Sequence, residues 1–154
     1  TYNELVLREK DFSKKISKYT KCDEDCSRLM TVPGVGPMVS MAFIAHIGSG
    51  EQFKNGRSVA ANLGVIPRQF SSGGKVKLGR ISKRGDNELR TMLMHGARAV
   101  ISRSLRKADP NLMQQKLKGM VDKKGWGKTV VAQANYMCRV MWHLNAHKTE
   151  YKAA

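Results

Sequence analysis

The stretch Pro33-Gly34-Val35-Gly36-Pro37 limits this chain more than any other five residues. A proline fixes φ and cannot donate a backbone hydrogen bond, and glycine leaves the backbone unrestrained. Neither a helix nor a strand runs through such a segment, so the chain must turn there. Pro37 suits the first position of a helix. Behind it Val39, Phe43, Ile44 and Ile47 recur at helical spacing and give that helix an apolar face. Leu29, Val32 and Val35 surround the turn and are placed to pack the two flanking segments together.

Gly34 and Gly36 have no side chains to block a close approach. Their N–H groups stand at the start of the helix that opens near Pro37, where the helix dipole favours an anion. Residues 29–48, LMTVPGVGPMVSMAFIAHIG, resemble the helix-hairpin-helix motif of proteins that bind DNA without sequence preference. Gly34 and Gly36 are therefore candidate phosphate-binding residues. The plainer reading is a helix–helix turn in which the glycines serve only the backbone geometry.

The charge distribution favours a polyanionic partner. Lys and Arg number 28 against 12 Asp and Glu, a formal net charge of +16. Residues 68–107 alone hold 11 basic and 2 acidic residues. No apolar run approaches the roughly 18 residues of a membrane span. No signal peptide is visible, and 3 cysteines do not make a disulfide framework, so the cytoplasm is the expected location. The chain opens at Thr1 without an initiator Met, and the expectation is a piece of a longer protein.

The pattern along the chain is mainly α with one small β-hairpin. Residues 2–27 read as a polar helix. Leu5, Phe12, Tyr19 and Cys26 are spaced by seven with Ile16 alongside, as in a coiled-coil seam or a helix docked on its own domain. Asp23, Glu24 and Asp25 mark a junction. Residues 56–63 read as a short helix stopped by Gly64, and 65–81 as a hairpin or extended loop around Ser71-Ser72-Gly73-Gly74. Asp86 offers an N-cap for a helix through about residue 107, with Leu89, Leu93, Val100, Ile101 and Leu105 on its buried side. Asp109-Pro110 breaks it. A helix over 111–124, a turn at Gly125-Trp126-Gly127 and a final helix over 128–147 follow. Val131, Tyr136, Met137, Val140, Met141 and Leu144 give the last helix its apolar residues. The resulting division is a coiled-coil-like linker helix (1–28), a helical domain (29–147) that begins with the helix-hairpin-helix, and a tail (148–154).

The segment RQFSSGGKVKLGRISKRGDNELR surrounds two serines with Arg68, Lys75, Lys77, Arg80, Lys83 and Arg84. Attack of a serine on a phosphodiester needs positive charge at the non-bridging oxygens and a tight backbone approach, and both conditions can be met here. No general base is evident beside them. From the residues alone, a basic hairpin that only touches phosphates and a hairpin that carries a nucleophile both remain open.

A broader resemblance bears on that choice. VPGVGPMVSMAFIAHIG, followed by FKNGRSVAANLGVIPRQFSSGGKVKLGRISKRGDNELRTMLMHGARA, resembles the carboxy-terminal domain of a bacterial transposase family, the insertion-sequence one-ten or Piv-like family of bridge-RNA-guided recombinases. The match runs through about residues 29–105. The resemblance implies that a serine of the Ser-Gly pair is the nucleophile that joins covalently to DNA. That serine falls on Ser72, with Ser71 the fallback because the doubled serine leaves the register open by one. The family's Gly-Arg-Ile-x-Lys-Arg-Gly block falls on Gly79, Arg80, Ile81, Lys83, Arg84 and Gly85.

Complete members of that family resemble a fusion with an amino-terminal RuvC-like domain bearing four metal-binding acidic residues. This chain has no such set, because adjacent carboxylates such as Asp23, Glu24 and Asp25 point to different faces of a helix. No cofactor is therefore expected in this chain, and a divalent metal such as Mg²⁺ is expected in the missing domain. The resemblance further implies DNA and a guide (bridge) RNA as partners, a homo-oligomer (dimer or tetramer) in the complete protein, and no membrane. The expected function is the DNA-binding, serine-bearing half of a transposase or site-specific recombinase that mobilises an insertion sequence, inactive by itself. The alternatives are a non-enzymatic helix-hairpin-helix module and a basic RNA-binding protein.

Other constellations are weaker. Cys22 and Cys26 are four apart and Cys138 is remote, which leaves zinc short of four ligands. His143 and His147 lack the Glu of a metalloprotease helix. His46 and His95 read as satisfied core residues, Cys138 as a small buried hydrophobe, Trp126 as a turn residue packed on the last helix, and most of the nine methionines as core filler.

Overall fold

The computed structural model describes residues 1–152, the side chains of Ser71 and Ser72 excepted. The last two residues of the expected 148–154 tail lie outside the described residues. The fold is mainly α, with helices α1 (Tyr2–Cys22), α2 (Glu24–Leu29), α3 (Pro37–Ile47), α4 (Gly56–Asn62), α5 (Asn87–Arg106), α6 (Leu112–Lys124) and α7 (Trp126–His147). A single antiparallel hairpin, β1 (Pro67–Ser72) and β2 (Lys75–Ile81), stands between α4 and α5.

The first expected helix is two helices. Asp23 ends α1 in an extended conformation, and its carboxylate accepts a 2.7 Å hydrogen bond from the Cys26 N–H to start α2. A side chain that caps a new helix in this way competes with continuation of the old one. The seven-residue stripe divides at the same point. Leu5, Phe12 and Tyr19 are exposed along α1, whereas Cys26 is buried in the domain. Thr20, near the end of α1, is also fully buried.

The core joins α2 through α7. Leu29, Phe43, Ile47, Leu63, Leu89, Leu93, Ile101, Met137 and Met141 are among its largest buried side chains. α7 is central to it. Trp142 donates to the Gly50 carbonyl at 3.0 Å and Asn145 to the Gly48 carbonyl at 2.7 Å, which fixes the α3–α4 connection. At the far end of the chain, the Lys148 ammonium pairs with the Asp25 carboxylate at 2.8 Å and ties the end of α7 to α2.

Several expectations are corrected. Trp126 and Gly127 belong to the first turn of α7, because Gly125 alone, at φ 81°, ends α6 and starts α7. Trp126 is half-exposed. His46 and His95 are exposed rather than in the core. Leu105 and Tyr136 are each 40% exposed, since both lie on the outer edges of their helices. Met38 and Met41 are also exposed, whereas Met137, Met141 and Cys138 are fully buried.

Candidate nucleic-acid interface

The hairpin is built around a two-residue turn. Gly73 and Gly74 both have positive φ, 58° and 77°, as the hairpin turn that matches strand twist requires. The backbone register sets Ser72 opposite Lys75, Ser71 opposite Val76, Phe70 opposite Lys77 and Gln69 opposite Leu78. An irregularity follows Pro67, and there Arg68 turns back to donate to the Ser82 carbonyl at 3.2 Å. A Cβ on Gly79 would stand 2.9 Å from the edge of the Phe70 ring, a contact that rotation of this exposed side chain relieves. Phe70, Val76 and Leu78 are each more than 60% exposed, so the hairpin extends from the core instead of covering it.

Its root is held rigidly. The Ser82 N–H donates to the Ile66 carbonyl at 2.8 Å, and the Lys83 N–H donates to the Gly64 carbonyl at 3.2 Å. Gly64 and Gly85 bring two backbones into contact: a Cβ on Gly64 would collide with the Arg84 carbonyl, and one on Gly85 with the Asn62 carbonyl. Below this crossing lies Arg90, only 7% exposed. Its guanidinium donates to the carbonyls of Leu63 (3.3 Å), Arg84 (3.4 Å) and Asp86 (3.4 Å) and to the Asn87 side chain (2.7 Å). Arg90 is thus a structural member of the basic segment. Asp86 starts α5 by accepting from the Leu89 N–H at 2.6 Å.

This clamp holds Lys83 at φ 55°, the left-handed region that a non-glycine side chain occupies at a cost of about 1–3 kcal/mol. Lys83 and Arg84 consequently form an exposed shoulder at the hairpin root. Arg68, Lys75, Lys77, Arg80, Lys83 and Arg84 are all exposed, and none of them joins a salt bridge among the described residues. The structure therefore brings these six cations together on one projecting unit. The side chains of Ser71 and Ser72 lie outside the described residues, and their backbone stands in β1 next to the turn.

Gly34 and Gly36 occupy a second locus. Gly34 has φ 87° and lies against the middle of α5, where a Cβ on it would stand 2.7 Å from the Gly96 carbonyl oxygen. Gly36 is the N-cap of α3, has φ −102°, and has open space around the position of a Cβ. It supplies no side-chain cap, so the first N–H groups of α3 have no side-chain acceptor. The cations beside this turn are not those of the hairpin. A pocket of about 530 Å³ is lined by Pro33 and Gly34 together with Arg103 and Lys107 from the end of α5. Gly96 lies nine residues into α5 from Asn87, about 14 Å along the axis from the start of that helix. Sequence reasoning missed Arg103 and Lys107 because their proximity to Gly34 depends on the α3–α5 packing.

Among the described residues no group of three His, Cys, Asp or Glu side chains is placed to hold a metal ion. Asp23 is occupied as a helix cap, and Asp25 is paired with Arg28 and Lys148. Asp23, Glu24 and Asp25 do not form a divalent-metal site among the described residues. The Lys148 ammonium, helped by Arg28, holds the Asp25 carboxyl below its ordinary range against the opposing effect of burial. Burial pushes the Cys138 thiol up to about 12, and burial with the nearby Asp23 carboxylate pushes Cys26 up to about 11. Among the described residues no helix is long and apolar enough to cross a membrane.

Comparison with known proteins adds a family. The family described as Transposase IS116/IS110/IS902 matches residues 26–112, from α2 to the start of α6. A Pseudomonas aeruginosa protein named "Probable family 20 transposase" is 40% identical over 148 residues, 96% of this chain and 43% of that protein. The Coxiella burnetii "Transposase for insertion sequence element IS1111A" is 36% identical over 154 residues, 98% of this chain and 42% of that protein. A Yersinia enterocolitica "Transposase for insertion sequence element IS1328" is 28% identical over 150 residues, 97% of this chain and 44% of that protein. The chain spans about two fifths of the length of these relatives.

Proposed function

We propose, from the premise that this chain belongs to the IS116/IS110/IS902 family of transposases, that it is the DNA-binding, serine-bearing part of an enzyme that mobilises an insertion sequence. The observation that carries the proposal is the β1–β2 hairpin. Two serines stand in it beside a glycine turn, with Lys75 and Lys77 near them and Arg68, Arg80, Lys83 and Arg84 toward the root, all exposed and with no acidic partner among the described residues.

In this reading the oxygen of Ser72 attacks a DNA phosphorus. A phosphoserine ester forms, and the deoxyribose hydroxyl leaves with a proton. Negative charge grows on the non-bridging oxygens as the bond forms, and preorganised cations stabilise that charge more than they stabilise the substrate. Lys75 and Lys77, paired across the hairpin with Ser72 and Phe70, are the proposed source, with Arg68, Arg80, Lys83 and Arg84 toward the root holding the flanking backbone. The Gly73-Gly74 turn removes side chains from the path of the phosphate. No base for the serine proton is assigned within this chain. The family's metal is proposed to belong to the part of the protein outside it.

Gly34, Gly36 and the start of α3 are proposed as a second grip on the backbone. Partners on the same reading are DNA and a guide RNA. Self-association of the complete protein is proposed through α1, whose Leu5, Phe12 and Tyr19 stay exposed at seven-residue spacing.

Salt-dependent binding tests the interface. The chain is expected to bind duplex or branched DNA with little sequence preference, with log affinity falling steeply and linearly against log salt. Affinity that stays flat across the salt series contradicts the electrostatic interface.

A further inference from the structure

α4 crosses α7 beside the hairpin root. Gly56, the first residue of α4, makes this crossing close. A Cβ there would stand 3.1 Å from both the Cα and the Cβ of Arg139. The base of the Arg139 side chain is thereby held against α4, and Arg57 follows directly on that helix. An open pocket of about 550 Å³ lies between the two helices, lined by Arg57, Ser58, Asn135, Arg139 and Ile66 among others.

The pocket is cationic and its neutral groups are already engaged. The Ser58 hydroxyl donates to Asn55 at 3.2 Å, and the Asn135 amide donates to the Val65 carbonyl at 3.2 Å. Arg57 and Arg139 are the charged groups that line it, and neither joins a salt bridge among the described residues. Two guanidinium groups repel one another in a shared pocket unless an anion lies between them. Their planar forks match the oxygens of a phosphate better than ammonium groups do. Ile66 joins the pocket to the hairpin, since it immediately precedes β1 and its carbonyl accepts from Ser82.

We infer that Arg57 and Arg139 form a phosphodiester-binding site that continues the hairpin interface onto the α4–α7 face. Only the base of the Arg139 side chain is packed, against Gly56. Arg57 lies beside it on α4, and both residues are exposed. The identity of the ligand as a nucleic-acid phosphate rests on the proposed function above, and DNA and RNA supply the same chemistry.

The test measures fluorescence anisotropy of the 154-residue chain with a labelled DNA duplex of about 20 base pairs and with an RNA duplex of the same sequence, over a salt series. Arg57→Gln with Arg139→Gln keeps the carbon atoms that Gly56 meets and removes both charges. The expected result is an affinity loss on the order of 10-fold and a salt slope smaller by about 1 for each arginine. A loss confined to DNA assigns the site to the DNA backbone, and one confined to RNA assigns it to the guide. Melting curves accompany each variant. Arg57 is exposed, so Arg57→Gln alone decides the matter should the double variant not fold. Unchanged affinity and slope for both polymers in a folded variant overturn the site while leaving the hairpin reading intact. A wild-type chain that binds neither polymer overturns both.

Discussion

Gly34 and Gly96 meet backbone against backbone. A Cβ on Gly34 would lie 2.7 Å from the Gly96 carbonyl, and a Cβ on Gly96 would collide with the Gly34 carbonyl. The turn between α2 and α3 therefore docks on α5 through a contact that only two glycines permit. Gly36, two residues on, has open space. The two turn glycines, equivalent by sequence, thus have different physical duties.

That difference is measurable. Gly96→Ala and Gly34→Ala should each destabilise the fold by about 2 kcal/mol or more, because backbone must move to admit the methyl group. Gly34→Ala carries the further strain of φ 87°. Gly36→Ala should change stability by less than about 1 kcal/mol. A bulky residue at Gly36 should weaken DNA binding in a folded protein. Unchanged affinity there would remove the phosphate role from the turn.

Arg90 and its neighbours separate stability from binding in the same way. Arg90→Met leaves the carbonyls of Leu63, Arg84 and Asp86 without their buried donor and should cost about 1–3 kcal/mol. Lys83→Gln with Arg84→Gln should leave the melting temperature nearly unchanged and lower the salt slope of DNA binding by about 1 per charge. Thermal melts paired with binding isotherms test both. The reverse pattern would mean that the shoulder is structural and Arg90 is not.

The Asp25–Lys148 pair predicts a pH dependence. The folded-state carboxyl titrates below its ordinary value of 3.8, so the pair's stabilisation is complete above that value. It is lost as pH falls through the lower folded value. Asp25→Asn should remove this component, less than about 1 kcal/mol for a partly exposed pair. Wild type and variant should converge in stability at strongly acidic pH. A difference that grows on acidification would contradict the assignment.

Thiol reactivity should divide the three cysteines. Cys22 is exposed, whereas Cys26 and Cys138 are buried with thiols raised to about 11 and 12. A thiol-reactive reagent at neutral pH should modify Cys22 rapidly and the other two only on unfolding. Mass spectrometry of the labelled peptides reads the outcome. Rapid native labelling of Cys138 would contradict its burial.

Much of the fold was legible because its signals are local. Asp86, the Pro37 helix start, Gly64 and the paired turn glycines each act within a few residues. The break at Asp23 was visible as a charge junction, but the Leu5–Cys26 spacing suggested one continuous seam. Trp126 was misplaced because two glycines suggested a longer turn than the single positive-φ Gly125 provides. The basic hairpin was legible as composition, although Arg90 is indistinguishable from its neighbours until its buried acceptors are seen. Arg57 and Arg139 lie 82 positions apart in the chain and meet only through the α4–α7 crossing. No sequence pattern announces that pair.

The serine chemistry is the central claim, and covalent capture tests it most directly. The complete transposase is incubated with its DNA, the protein–DNA adduct is trapped, and the nucleotide-bearing peptide is mapped by mass spectrometry. The account predicts attachment at Ser72. It also predicts that Ser72→Ala abolishes recombination with DNA binding nearly unchanged, since one hydroxyl adds little to a charge-driven interface, and that Ser71→Ala is milder. An adduct on Ser71, or robust recombination by the Ser72→Ala protein, would contradict it.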